Sequence, residues 1–338
     1  MRLGLVLALS ALLVGGCDDD MTSSHDMGVD QGIGDLSAAA DLATSTATAA
    51  RGEYLVKHLL FCGDCHTTPT SNGQPSADPA LFLAGGRAFT APGQDGGTVT
   101  VYAKNLTPDP TNGIGSWTQS NITDALTIGV DDQGAPLWPI MPYYMFGNLT
   151  PDDATSIALY LQSLPPSAHP VPEDTSPFPL AVPRLDDTKI PHTTLAASDP
   201  SFAAAERGRY LTKVACIECH TEHTMGPSVL DLTKAFAGGE TFPLGPSLTT
   251  ISANITPDPT GLSGWTTAEI AATMKTDLER GTGAMLCPPM PGGQMRLGGL
   301  TDGDLSDIAT YVHTLPAISN GPFGCTDAGV PFGLPDGG

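Results

Sequence analysis

Cys62-Gly63-Asp64-Cys65-His66-Thr67 stands in the first half of this chain, and Cys216-Ile217-Glu218-Cys219-His220-Thr221 in the second. The reading of these two stretches decides the fold. Outward from them, the same phrases recur in the same order. Arg51-Gly52-Glu53-Tyr54-Leu55 returns as Arg207-Gly208-Arg209-Tyr210-Leu211, and Ala84-Gly85-Gly86 as Ala237-Gly238-Gly239. Asn105-Leu106-Thr107-Pro108-Asp109-Pro110 returns as Asn254-Ile255-Thr256-Pro257-Asp258-Pro259, and each copy leads through a Gly-rich turn to a tryptophan, Trp117 or Trp265. Met141-Pro142 returns as Met290-Pro291, and Leu149 to Pro165 as Leu300 to Pro316. The offsets run from 148 to 156 residues. Two copies of this length mean two similar domains; a solenoid needs more and shorter repeats.

The Cys-x-x-Cys-His spacing has a chemical reason. Two thiols at i and i+3 of a short turn point the same way, so each can form a thioether with one vinyl group of a haem. The histidine after the second cysteine then presents a ring nitrogen to the iron. Composition alone gives about 0.003 chance matches in a chain of this length, and here there are two, at matching places in a repeat. Zinc would need further Cys or His ligands. Neither half has a second Cys-x-x-Cys, and His223, near the second motif, has no counterpart in the first half. A thioredoxin-like pair needs a βαβ context, which the pattern lacks. The expected cofactors are two covalently bound haem c, at Cys62, Cys65 and His66 and at Cys216, Cys219 and His220.

Each unit reads as short helices joined by long loops. Leu305, Ile308, Ala309, Val312 and Leu315 fall on one helix face, as do Ala154, Ile157, Leu161 and Leu164. Thr150 before Pro151 is an expected N-cap with Pro at N1. Thr266-Thr267-Ala268-Glu269 matches a capping box. The helices leading into the two motifs are expected over about 51–61 and 202–215, with Tyr54 and Tyr210 as helix packing residues. The middles, about 67–115 and 221–263, show little periodicity and many Gly and Pro. Asn105 and Asn254 are expected to start turns, and Trp117 and Trp265 to pack in the core or against the cofactor.

The repeated phrases also carry a resemblance. Asn-[Leu/Ile]-Thr-Pro-Asp, Gly-x-x-x-Trp-Thr, Met-Pro and a closing helix ending in Ser/Thr-Leu-Pro resemble the multihaem cytochrome c subunits that serve bacterial periplasmic alcohol and sugar-acid dehydrogenases. The resemblance covers about 50–166 and 200–317. Those subunits often carry three haems, whereas this chain has two motifs. The fold it implies is all-α: two tandem class I-type cytochrome c domains, with short helices and long loops around covalent haem. It also implies distal iron ligands at Met141 and Met290, which lie 75 and 70 residues after their histidines. Met145 and Met295 recur as well and are the competing choices. Iron held by His66 with Met141, and by His220 with Met290, suits electron transfer, because two permanent ligands leave no open position and the thioether raises the potential. The rival reading is a dihaem peroxidase-like enzyme with one open haem site; a ligand-binding haem sensor is a third.

The rest of the chain fits export. Met1-Arg2, the apolar run Leu3 to Val14 and the ending Gly15-Gly16-Cys17 have the layout of a signal peptide. The ending looks like a bacterial lipobox, with Cys17 lipidated as the first mature residue. The expected organisation is a signal peptide over 1–16, a disordered Asp/Ala/Thr-rich spacer over 17–49, domain 1 over 50–166, a Pro-rich linker over 167–199, domain 2 over 200–317 and a loosely ordered Gly/Pro-rich tail over 318–338. That places the protein on the periplasmic side of a bacterial membrane, held by its lipid. Cys287 and Cys325 remain after the other cysteines are assigned, and an even pair in an exported chain suggests a disulfide. The formal net charge is −22, which opposes nucleic-acid binding and a polybasic membrane dock. The expected partners are redox proteins (a dehydrogenase, another cytochrome or a terminal oxidase), with a basic docking face complementary to the acidic chain.

Overall fold

Arg51-Gly52 and Arg207-Gly208 close the two halves in the same way. A computed structural model describes residues 46–71, 73–92, 97–178, 181–224, 229–243, 248–290, 296–323, 325–327 and 330–331. In the first half, α1 (Ala49–Tyr54) packs across α5 (Pro151–Ser163); in the second, α6 (Phe202–Ala215) packs across α8 (Asp302–His313). The glycines allow the crossing. A Cβ on Gly52 would stand 1.9 Å from the Ser156 carbonyl oxygen, and one on Gly208 1.9 Å from that of Asp307. The adjoining arginines clamp the same crossings. Arg51 grips Asp153 through Nε at 2.8 Å and Nη2 at 3.0 Å, and Arg207 grips Asp307 at 2.7 and 3.1 Å.

The side chains that open the helices act as their chemistry demands, as Thr118 and Asn121 do in the capping box of α3 (Gln119–Thr127). Thr150 Oγ1 accepts from Asp153 N at the start of α5, with Pro at N1. Thr266 and Glu269 form the capping box of α7 (Thr267–Thr276). The helix before the first motif differs from its counterpart. Ten residues lie between Arg51 and Cys62, against eight between Arg207 and Cys216. The extra length is taken up by a π-helical turn, Leu55–Leu59, and by Phe61 at φ 52°. α6 runs into its motif without such a break.

The all-α expectation covers only the helical frame. β1 (Ala88–Pro92) and β2 (Thr98–Tyr102) form an antiparallel hairpin, and β3 (Thr241–Pro243) and β4 (Leu248–Ile251) form its counterpart. Thr98-Val99-Thr100-Val101 alternates polar and apolar residues, with Val99 and Val101 turned inward, a period-2 pattern hidden by its shortness. The tail, expected to be loosely ordered, adds β5 (Cys325–Asp327) and β6 (Val330–Pro331) to β4 in a four-stranded sheet. The 167–199 segment is mostly irregular and lies against both halves: Asn105 Nδ2 donates to Ser167 O, and Arg209 Nε to Pro191 O.

The halves meet through reciprocal contacts. Tyr54 donates its hydroxyl to Asp304 Oδ2 at 2.5 Å and accepts from Thr301 N at 3.0 Å. Tyr210 donates to Asp153 Oδ2 at 2.6 Å and accepts from Thr150 N at 3.1 Å. Each tyrosine therefore caps the closing helix of the other half, as in a two-fold dimer interface. Read from sequence as packing residues of their own helices, both turn out to join the halves. Burial and the facing carboxylates push both phenols well above the usual tyrosine range. Tyr54→Phe and Tyr210→Phe should each lower stability by about 2 kcal/mol, the cost of a charge-assisted hydrogen bond, measured by urea denaturation.

A second pair of contacts joins the two motifs to the opposite halves. The residue before the second cysteine is Asp64 in one motif and Glu218 in the other. Arg296 Nη2 lies 3.0 Å from Asp64 Oδ2, and Tyr144 donates to Glu218 Oε1 at 2.5 Å. Tyr144 belongs to α4 (Tyr143–Phe146), just after Met141-Pro142. Among the described residues, no helix is long and apolar enough to cross a membrane.

Candidate functional site

The first motif is the one-turn helix α2 (Cys62–His66), and the second is a run of turns at the end of α6. In each, a backbone bond closes the turn: Thr67 N donates to Gly63 O at 3.0 Å, and His220 N to Cys216 O at 3.0 Å. None of Cys62, Cys65, Cys216 and Cys219 is tied up in a disulfide. Removal from water pushes their thiols up, to about 12, 11, 12 and 12 in that order.

The histidines are held by a bond that sequence reasoning missed. His66 Nδ1 lies 2.7 Å from Lys104 O, and His220 Nδ1 lies 2.8 Å from Ala253 O. A carbonyl oxygen only accepts, so Nδ1 carries the hydrogen and Nε2 keeps the lone pair. Burial pushes both imidazoles below their ordinary value, against the raising effect of that same bond, which favours the neutral, ligating form. A metal-binding histidine whose other nitrogen is fixed this way is pre-oriented. The signal was present, because Lys104 and Ala253 directly precede the repeated Asn105 and Asn254.

The repeated Ala-Gly-Gly phrase explains how that carbonyl comes near. Gly85 N donates to His66 O at 2.6 Å, and Gly238 N to His220 O at 2.8 Å. At φ 77° and 71°, both glycines are left-handed, and a Cβ would stand 2.7 Å from Ala103 O and 2.3 Å from Ser252 O. Asn105 Oδ1 then accepts from Thr107 N at 2.9 Å, and Asn254 Oδ1 from Thr256 N at 2.9 Å, so both asparagines do start turns.

Met141 N donates to Trp138 O at 3.2 Å, and Met290 N to Cys287 O at 3.1 Å, so the two methionines sit on equivalent turns. Both are partly buried and pack against the core cluster, as do Cys62, Cys216, Trp117 and Trp265. Met145 is a buried core residue, 4% exposed. Met295 and Cys17 lie outside the described residues, as does the side chain of Cys325. Cys287 is disulfide-bonded.

His223 marks the second site alone. Its Nδ1 is 2.9 Å from Glu240 Oε2 and its Nε2 is 3.3 Å from Glu218 Oε1, ion-pair distances without aligned N–H geometry. Burial alone would lower its pKa, but the two carboxylates prevail and push it up to about 10.

The donor set fits a c-type haem at each turn: two free thiols at i and i+3 and one imidazole with a fixed Nε2 lone pair. No protein-family model matches the chain. Individual relatives do. A diheme cytochrome c-type protein of Cereibacter sphaeroides is 30% identical over 287 residues, covering 81% of this chain and 88% of the relative. The cytochrome c subunit of a quinone-linked alcohol dehydrogenase of Gluconobacter oxydans is 31% identical over 302 residues, covering 81% of this chain. The cytochrome subunit of a fructose dehydrogenase of Gluconobacter japonicus is 31% identical over 284 residues, covering 79% of this chain. The matches span 56% and 52% of these two dehydrogenase subunits, about half their length. The chain belongs to the dihaem cytochrome c family and is similar to the cytochrome c subunits of alcohol and fructose dehydrogenases.

Proposed function

We propose that this protein is an electron carrier with two covalently attached haems, one at Cys62, Cys65 and His66 and one at Cys216, Cys219 and His220. The observation that carries this reading is the duplicated turn in which each histidine's Nδ1 is tied to a backbone carbonyl. Met141 and Met290 are the proposed distal ligands. When bound, the haem iron supplies a one-electron couple between its ferric and ferrous states. The chain's part is to hold the iron between imidazole and thioether, to exclude water and to keep the two turns in fixed relation. A dehydrogenase is the proposed electron donor, given the similarity to dehydrogenase subunits. A permanent methionine in both halves does not suit a peroxidase, which needs an open position.

The test is the haem content of purified protein by the pyridine haemochrome assay, followed by reduction and reoxidation. Two haems per chain that survive acid-acetone extraction and cycle without turnover of peroxide are expected. Fewer than two, or peroxidase activity, would sink the reading.

The remaining assignments complete this picture: lipidation at Cys17, location on the periplasmic side of a bacterial membrane and a Cys287–Cys325 disulfide. The backbone of Cys325 pairs with Thr250 in the sheet, so such a bond would tie that sheet to the methionine loop. Reduction, or the Cys287→Ala/Cys325→Ala double variant, should cost about 4 kcal/mol on the chain-entropy model. Calorimetry should show this as a lower Tm for the second half.

A further inference from the structure

We infer that the two haem sites differ in reduction potential, and that the charged side chains around the attachment turns place the site at Cys62, Cys65 and His66 above the one at Cys216, Cys219 and His220. This rests on the proposal that both turns hold haem. The turns are equivalent within a repeat, so their backbone frames match while their side chains differ. The sharpest difference follows the Ala-Gly-Gly phrase. Arg87 stands there in the first half, and Glu240 stands there in the second.

At the first turn, Arg87 Nη1 donates to Asp64 O at 2.7 Å, and Arg296 pairs with Asp64 Oδ2 at 3.0 Å. One guanidinium thus binds the main-chain carbonyl of Asp64 and the other its carboxylate. Arg296 is also shared with the Asp277 carboxylate, so the balance here is two guanidiniums to two carboxylates. Other nearby charges cancel, Lys57 against Glu53 and Lys104 against Asp174. At the second turn, the charged groups are Glu218, Glu240 and His223, two carboxylates around one imidazole. The partner that replaces Arg296 is the uncharged phenol of Tyr144. Lys234 is matched by Glu222 at 3.5 Å.

Reduction lowers the iron's charge by one. Balanced charge beside the first turn favours the reduced state more than the excess negative charge beside the second, which favours the oxidised state. An electron delivered to the second site by a one-electron donor, such as a reduced dehydrogenase, therefore moves to the first. With haem held at both turns, the transfer would reoxidise the second site and reduce the first, with no proton moved and no bond changed. Arg87, Arg296 and Glu240 are positioning residues for this order, acting through charge.

The experiment is a potentiometric titration of the two-haem protein, with haem content measured first. Two one-electron waves are expected. Arg87→Gln should lower the upper wave by roughly threefold to tenfold in equilibrium constant, up to about 59 mV, and leave the lower wave in place. Glu240→Gln should raise the lower wave by a similar factor and leave the upper one. Arg87→Lys, which keeps the charge, should move neither. Coincident waves, an Arg87→Gln effect on the lower wave, an unmoved upper wave, or a Lys variant that behaves like Gln would overturn the inference. Fewer than two haems per chain would instead overturn the functional reading beneath it.

Discussion

Gly52→Ala and Gly208→Ala should each destabilise the protein by about 3 kcal/mol or more, read as a shift of the denaturation midpoint. In an exposed helix, the same change stabilises by up to about 1 kcal/mol, so the sign is diagnostic. The new Cβ would stand 1.9 Å from a carbonyl oxygen of the crossing helix, where no side-chain rotation relieves the clash. The helices must separate, and the Arg51–Asp153 or Arg207–Asp307 clamp must stretch with them. Total stability is typically 5–15 kcal/mol, so a loss of this size endangers folding at physiological temperature. An alanine variant as stable as the wild type would mean that the crossing is looser than these contacts require.

Met141→Ala and Met290→Ala should each convert one of the two haems from low spin to high spin and lower that haem's potential, because an aliphatic stub cannot ligate iron. Half of the ferric low-spin EPR signal should be lost in each variant. Met145→Ala should leave the spin state alone and cost about 2–5 kcal/mol through the cavity it opens in the core. Loss of a low-spin signal in Met145→Ala, with none in Met141→Ala, would move the distal ligand by one helical turn.

The parts legible in the sequence are those governed by a few consecutive residues. The two attachment turns, the cap at Thr150, the capping box at Thr266 and the helix over 202–215 all belong to this class. The contacts that complete the fold join residues far apart. Tyr54 reaches Asp304 and Tyr210 reaches Asp153, contacts that helical periodicity does not encode. The strands are too short for their alternation to stand out, and β4 takes its second neighbour from the tail. The carbonyls that fix the histidines were marked only indirectly, through the repeated asparagines beside them. Repetition was a better guide than composition, because most phrases that recurred prove to have a contact that recurs.

The reciprocal tyrosine contacts also bear on assembly. Each half offers both a phenol to donate and a helix start to receive, so the surface is complementary to its own kind. Held on one chain, the two surfaces meet at an effective concentration set by the connecting segment, and dilution cannot part them. The duplication thus converts what would be a concentration-dependent dimer into a pair of fixed stoichiometry. Because its two members no longer share a sequence, one can carry arginine where the other carries glutamate.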